Sequence, residues 1–360
     1  AWRDRTVSRP EFQAWAAGFP LTRHIARSQS RELFDLTAGF VYSQVLHACV
    51  TLDLFERLAD GPRRTGEIAP ELNLEPKAAE RLFAAAASLG LLERRGGGWG
   101  LGYLGTALRG APGLVEMIRH HDMLYRDLTD PLALLRGEIE PELARFWGYV
   151  GGRRTNELSA EETAPYTRLM AATQAMVSSE VVASYRFARH RHLMDVGGGD
   201  GSFLAAVAAK APRLTLTLFD LPSVAEQAQA RFLSSKLDSR ASAVGGDFFA
   251  DPLPEGADAI SLVRVIYDHD DDAALRLLTR VREALPRNGR LILAEPMAET
   301  PGMARVGDAY FGFYILAMTH GRPRTAAELR ALLEAAGFGG IREVRTRLPI
   351  LTGLITARPR

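Results

Sequence analysis

Leu193-Met-Asp-Val-Gly-Gly-Gly-Asp-Gly-Ser-Phe-Leu204 carries an apolar strand into a glycine-rich turn and out into a helix. Phe203, Leu204, Val207 and Ala208 give the segment after the turn one apolar face at helical spacing. Asp195 closes the strand, and Gly197, Gly199 and Gly201 alternate through the turn. Only glycine takes positive φ freely and lets a ligand approach the backbone, so the turn reads as one wall of a nucleotide pocket. The dinucleotide spacing G-x-G-x-x-G, which cradles a pyrophosphate, would need a glycine at Ser202. The spacing present, D-x-G-x-G-x-G, suits a nucleoside ligand without phosphate.

The downstream sequence completes an α/β pattern. Leu214-Thr-Leu-Thr-Leu-Phe-Asp-Leu-Pro222 is a β-rich run whose Asp220 falls about 20 residues past the glycines, where an acid accepts both ribose hydroxyls. Asp247 beside Phe248 offers an adenine clamp of hydrogen bond plus ring contact. Ala259 to Ile266 and Arg290 to Glu295 read as further buried strands. Ligands of such sheets sit beyond the carboxyl ends of the strands, where all these acids fall. S-adenosylmethionine is the ligand this set fits. Gly340 to Arg347 and Ile350 to Ala357 read as closing antiparallel strands, and Thr325 with Glu328 as the capping box of a helix that Gly337 ends.

The motifs Asp195-Val-Gly-Gly-Gly-Asp-Gly201, Phe219-Asp-Leu-Pro222, Gly246-Asp-Phe-Phe249, Arg264-Val-Ile-Tyr-Asp-His-Asp-Asp271, Ala294-Glu-Pro296 and Gly321-Arg-Pro-Arg-Thr325 span the second half of the chain. In them the sequence resembles the S-adenosylmethionine-dependent small-molecule O-methyltransferases with an N-terminal winged-helix dimerisation domain, of caffeate and acetylserotonin type. Leu33-Phe-Asp-Leu-Thr-Ala-Gly-Phe-Val-Tyr-Ser-Gln44 and Gly307-Asp-Ala-Tyr-Phe-Gly-Phe-Tyr314 are similar to the branch acting on the carotenoids hydroxyneurosporene or demethylspheroidene. The resemblance implies a Rossmann-like domain of seven strands and a homodimer. It implies cofactor contacts at Asp195, Gly197, Gly199, Gly201, Asp220, Leu221, Asp247, Phe248 and Arg264. The expected boundaries are 1–110 for arm and winged helix, 111–185 for a helical linker and substrate cap, and 186–360 for the methyltransferase domain.

Catalysis departs from the family pattern. The family's general-base histidine is replaced by Tyr267, and the acid of its Gly-Arg-x-Arg-Thr segment by Pro323; Glu295 alone matches a carboxylate that orients the base. A phenol with a reference pKa of about 10 is a weak base but a good hydrogen-bond partner. The expectation is therefore His320 as base, Tyr267 orienting the acceptor hydroxyl and Glu295 in support, with His269 a third candidate. The run Asp268 to Asp272 precedes an amphipathic helix, so it reads as helix-start acids rather than a metal site; no metal is expected. Tyr310, Phe311, Tyr314, Ile315 and Met318 form a stripe on a helix over 307–319, read either as core or as the wall of an apolar channel. His120 and His121 lie in a segment placed to roof the site, and Trp147 and Met170 read as packing or pocket wall.

Lys plus Arg number 44 against 43 Asp plus Glu, which leaves no field to attract nucleic acid. The single cysteine, Cys49, permits no internal disulfide and suits a reducing cytoplasm. No uninterrupted run of about 18 apolar residues is present, so no membrane span is expected, and the first residues lack a signal-peptide core. Residues 1–31 carry six arginines among Trp2, Phe12, Trp15 and Phe19, a mixture that packs on a partner subunit or lies on an anionic lipid surface. Residues 30–105 read as helices and a winged helix: Thr65 caps a short helix, Pro76 starts the next, Gly90 stops it, and a wing hairpin runs through 91–101. The would-be recognition helix balances Lys77 and Arg81 with Glu75 and Glu80 and then turns to alanine, so it is built to pack rather than to read bases.

The expected function is methyl transfer from S-adenosylmethionine to a carotenoid hydroxyl, in the cytoplasm or at the inner membrane's surface. The alternatives are O- or C-methylation of a polyketide, phenol or tetrapyrrole, and a cofactor-sensing transcription factor.

Overall fold

The structure is a computed structural model that describes residues 2–146, 160–300, 302–303 and 305–360. Two compact units divide it, Ala1–Gly110 and Ala111–Arg360. The first holds helices α1 (Trp2–Val7), α2 (Pro10–Gly18), α3 (Arg23–Thr51), α4 (Leu54–Arg57), α5 (Thr65–Glu71) and α6 (Pro76–Ser88). A hairpin of β1 (Leu92–Arg95) and β2 (Gly98–Leu101) follows, then α7 (Tyr103–Arg109). Ala79, Phe83 and Ala86 bury one face of α6, and Trp99 of the wing meets Phe83 edge-on at 6.0 Å. Thr65, expected as a cap, is not one. Arg64 takes the cap position with its N–H on Glu67, while Thr65 Oγ1 accepts the Trp99 indole N–H at 3.0 Å and donates to Glu80.

Helix α3 corrects the reading that nothing here is apolar enough to span a bilayer. By length and composition it is, and only 11% of its most apolar stretch is buried within the chain. Ser43, Gln44 and His47 interrupt the apolar run without adding a fixed charge, and between residues 34 and 51 only Asp35 carries one. A search for unbroken apolar runs passes over such a helix.

The second unit opens with α8 (Pro112–Asp127), α9 (Pro131–Arg136), α10 (Glu142–Phe146) and α11 (Ala160–Ser184). These helices, expected as a separate linker and cap, belong to the same compact unit as the sheet. Val177 and Val181 of α11, with Tyr185 just past its end, enter one core with Leu193, Phe203 and Leu216. Trp147 lies outside the described residues, as does the side chain of Met170.

The rest alternates as expected: β3 (His192–Val196), α12 (Ser202–Lys210), β4 (Thr215–Asp220), α13 (Pro222–Ser234), β5 (Ala241–Gly245), β6 (Ala259–Val263), α14 (Asp271–Ala284) and β7 (Arg290–Glu295). After these come α15 (Gly312–Met318), α16 (Ala326–Ala335), β8 (Phe338–Val344) and β9 (Gly353–Pro359). The seven strands lie in the order β5-β4-β3-β6-β7-β9-β8, with β3 to β7 parallel and β8 and β9 antiparallel. Strands buried on both faces need continuous apolar sequence, and β6 and β7 supply it through Ala-Ile-Ser-Leu-Val and Leu-Ile-Leu-Ala. The chain runs outward from β3 through β4 to β5 and returns to β6 on the other side. That reversal opens the crevice beyond the strand ends where ligands of open α/β sheets bind.

The helix expected over 307–319 is a π-turn at Arg305–Phe311 followed by α15. A π-turn takes in an extra residue per turn, which periodicity cannot foresee and which recurs at functional sites.

Candidate active site

The parallel register sets the ends of β3, β4 and β5 side by side: Val196 pairs with Phe219 and Asp220 with Gly245. The turn after β3 is then pinned from β4, as Gly197 N–H donates to Phe219 O at 2.8 Å and Gly199 N–H to Asp220 Oδ2 at 2.8 Å. Gly197, Gly199 and Gly201 have φ of 71°, 61° and 78°. At Gly201 a Cβ would also stand 2.8 Å from the Phe232 ring, so both conformation and packing demand glycine. At Gly199 nothing lies within 4 Å of that position, which leaves backbone open to a ligand.

Asp220 Oδ1 accepts the Leu221 N–H at 2.7 Å. Each carboxylate oxygen of Asp220 retains an acceptor site after these bonds, as a vicinal diol requires. Burial raises the Asp220 pKa against those two bonds. Asp195 is fully buried; its Oδ1 accepts from Ser261 Oγ at 2.6 Å, its Oδ2 has no partner, and burial pushes it up to about 7. Asp247 is exposed and accepts the Phe249 N–H at 2.7 Å, and half-buried Phe248 packs edge-on to His269 at 5.7 Å. Glycine backbone, a diol acceptor and an acid–aromatic pair thus line one crevice, and they fit a nucleoside.

A second polar cluster sits past the ends of β6 and β7. Arg264 turns the chain out of β6 at φ 60°, a left-handed conformation that non-glycine residues hold under strain, often at functional sites. Its Nη1 donates to Thr173 Oγ1 of α11 at 3.0 Å, and its guanidinium also bonds the Tyr267 phenol. Tyr267 and Asp268 occupy a short 3-10 turn, where the phenol and Arg264 favour the charged form of the Asp268 carboxyl against its burial. Burial raises the Tyr267 pKa well above the ordinary phenol value. Burial also pushes Asp268 up to about 7, against the pull of Arg264 and the Tyr267 bond. Asp268 Oδ1 is buried and has no hydrogen-bond partner.

Two neighbours fix this turn. Glu295, buried at the end of β7, accepts the N–H groups of Val265 at 3.1 Å and Ile266 at 2.8 Å, and burial lifts its pKa to about 8. Arg324, only 1% exposed, donates to Ile266 O at 2.8 Å, His269 O at 2.6 Å and Asp271 Oδ1 at 2.8 Å. The cluster's apolar flank carries two histidine–tyrosine bonds from α8. His120 Nε2 meets Tyr314 Oη at 2.9 Å, and His121 Nε2 meets Tyr310 Oη at 2.8 Å. Tyr314, Ile315 and Met318 of the expected stripe are buried there with Leu124 and Tyr267.

Several residues stand otherwise than the sequence implied. Arg264 was expected at the nucleoside; its side chain joins Tyr267 and Asp268, since the turn at positive φ directs it toward α11. Glu295 holds backbone N–H groups. His320 is exposed and forms no hydrogen bond among the described residues, following Thr319, whose φ of 72° ends α15 and turns the chain outward. The acids at 268–272 do not act as one cap: Asp270 bonds the Gly321 N–H, Asp271 pairs with Arg322 and Arg324, and Asp268 is half-buried, with its Oδ1 buried, before the helix begins. Sequence reasoning missed Asp268, Thr173 and the pairing of His120 and His121 with tyrosines. The sequence signal for Asp268 was its place directly after the departure from histidine at 267. Among the described residues no group of acids, histidines or cysteine is arranged to hold a metal.

A nucleoside crevice abutting a buried acid–phenol–guanidinium cluster, on a seven-stranded sheet with antiparallel closing strands, defines a class of group-transfer enzyme. The O-methyltransferase domain family matches residues 125–339, and the O-methyltransferase dimerisation domain matches residues 34–108. The chain belongs to this O-methyltransferase family. It is 46% identical to demethylspheroidene O-methyltransferase of Cereibacter sphaeroides, over 98% of this chain and 93% of the relative. Identity to the demethylspheroidene O-methyltransferase of Rhodobacter capsulatus is 44%, over 94% of this chain and 84% of the relative. The structure of human N-acetylserotonin methyltransferase in complex with S-adenosylmethionine is similar at a TM-score of 0.72 and 25% identity, covering 92% of this chain and 97% of that one.

Proposed function

We propose that this chain methylates a hydroxyl of a carotenoid of the demethylspheroidene or hydroxyneurosporene type, using S-adenosylmethionine, as a cytoplasmic homodimer. The observation that carries the reading is the pairing of the two clusters across the crevice, in a chain so similar over its length to two demethylspheroidene O-methyltransferases. When bound, S-adenosylmethionine supplies a methyl group on a sulfonium that leaves as a neutral thioether.

In this reading Asp220 accepts the ribose hydroxyls and the backbone at Gly197, Gly199 and Gly201 lies against the ligand. Asp195 and Leu221 shape that crevice, and Asp247 and Phe248 hold the adenine. Arg264, Tyr267 and Glu295 belong to the acceptor end, where Tyr267 orients the hydroxyl and Glu295 fixes the turn that carries it. Holding two reactants in line is itself a large part of such catalysis. The apolar flank of Tyr314, Ile315 and Met318 supports an acceptor that is hydrocarbon apart from its hydroxyl. Exposed Trp2, Trp15, Leu21 and Ile25 among the arginines of the arm support peripheral contact with an anionic bilayer, where such an acceptor is held.

The test is transfer of labelled methyl from S-adenosylmethionine to a panel of hydroxylated carotenoids in detergent, catechols, flavonoids and chlorins, with products identified by mass. Label in a carotenoid ether alone is the expected result. Label in a phenol, a polyketide or a chlorin retains the enzyme class and overturns the acceptor.

A further inference from the structure

We propose that Asp268 is the proton acceptor of the transfer, the base that takes over where the family's histidine has become Tyr267. The proposal rests on the functional reading above and concerns this chain's own residues at its acceptor end.

Removing an alcohol's proton needs a basic atom that an incoming hydroxyl can meet. His320 stands in solvent with no bond to the cluster. His269 packs between the edges of Phe248 and Phe249, and burial together with Arg324 lowers its pKa to about 4. His120 is buried on Tyr314 and lowered by burial and by His121 to about 4. Glu295 and Asp195 each also carry one unpartnered oxygen, but at 1% exposure both are closed to an incoming hydroxyl. Among the described residues Asp268 alone combines a half-buried side chain, a place beside Arg264 and Tyr267, and a carboxylate oxygen, Oδ1, that is buried without a hydrogen-bond partner. Leaving such an atom unpaired is costly, so a hydroxyl donated to it is stabilised there.

The step balances. The acceptor oxygen forms its bond to the methyl carbon as the carbon–sulfur bond breaks with its electron pair kept on sulfur. The acceptor's proton moves to Asp268 Oδ1 and is later released to water. One cation and one carboxylate become a neutral thioether and a neutral acid, a change that an apolar surrounding favours. Tyr267 and Arg264 hold the carboxylate in place, and a carboxyl with its pKa near the working pH suits a base. The charged and titratable groups facing Asp268 are Arg264 and Tyr267 on its own turn and Glu295 from β7, with Tyr314 and His120 behind Tyr267.

Asp268→Asn keeps the shape and removes the base. Its turnover should fall on the order of 10²-fold. The rise of wild-type activity with pH through about 7 should vanish in Asp268→Asn and persist in His320→Ala. Affinity for S-adenosylhomocysteine, measured by calorimetry, should stay within about two-fold of wild type, which reports an intact crevice. Calorimetry also gives a readout that needs no acceptor. Preference for the sulfonium over the neutral thioether should grow as the pH passes about 7 in the wild type and stay flat in Asp268→Asn. A rate limb or a pH-dependent preference that survives Asp268→Asn overturns the proposal, as does a limb that disappears only in His320→Ala. If the wild type methylates a phenol but no carotenoid, the acceptor reading fails while the same comparison still decides Asp268.

Discussion

At the scale of single residues, two buried carboxyls and a half-buried one make the ligand-free protein sensitive to pH. Burial raises Asp195 and Asp268 to about 7 and Glu295 to about 8. Each folded value lies above its unfolded one, so the folded chain holds protons that the unfolded chain has released. The stability they contribute is complete below about pH 4 and is lost as the pH rises through 7 to 8. The melting midpoint of the ligand-free protein should therefore fall between about pH 6 and about pH 8.5. Glu295→Gln, whose amide oxygen still accepts the Val265 and Ile266 N–H groups, should make that fall shallower; an undiminished fall would assign the slope to other groups. At the nucleoside end, Asp220→Ala should weaken cofactor binding by about 2 kcal/mol or more while the fold survives, and unchanged calorimetric affinity would refute the diol role. The glycine turn was legible because few residues tolerate its backbone. Asp268 was not, because five residues with four acids look alike in sequence. What separates them is the 3-10 turn that buries the first before α14 starts at Asp271.

At the scale of elements, signals carried by one local hydrogen bond survived folding and those needing a distant partner did not. Thr325 and Glu328 form the capping box the sequence announces, with Glu328 N–H on Thr325 Oγ1 at 3.1 Å and Thr325 N–H on Glu328 Oε2 at 2.8 Å. Thr65 carries the same kind of signal yet turns to Glu80 and Trp99, partners that only tertiary structure brings near. The strand run and helix of the glycine motif were equally local and equally readable, whereas the π-turn before α15 has no sequence period of its own. Arg324 is the long-range counterpart of a cap, joining the start of α16 to the carbonyls of the Tyr267–Asp268 turn. Arg324→Ala strands the Ile266 and His269 carbonyls while Asp271 keeps Arg322, so unfolding by denaturant should show a loss of about 3 kcal/mol. Arg324→Lys, a point charge without the fork, should recover only part of it. Full recovery by lysine would mean that charge alone, and not the two carbonyl bonds, holds the turn.

At the scale of the whole molecule, composition did not reveal how much of the first unit needs covering. Leu33, Phe34, Leu36 and Phe40 of α3 are 65%, 66%, 67% and 72% exposed, an apolar surface too large to leave in water. It lies where the dimerisation domain match begins, at residue 34, so a second copy of the chain is the occupant to be tested. Burying a side chain of this size contributes about 2 kcal/mol, and two-fold symmetry counts each one twice. Placing carboxylates on that face should abolish association. Light scattering of Leu36→Glu with Phe40→Glu should report a monomer where the wild type is expected to be a dimer. That monomer should remain folded, since Leu54, Phe55 and Phe83 form the unit's core elsewhere. The arm ahead of residue 34 separates the two surfaces available to α3. Loss of binding to anionic vesicles in Trp2→Ala with Trp15→Ala, with the dimer intact, would assign the arm to lipid and the α3 face to the partner. A double glutamate variant that stayed dimeric but lost its vesicles would reverse both assignments, because the apolar stretch of α3 would then be serving the bilayer.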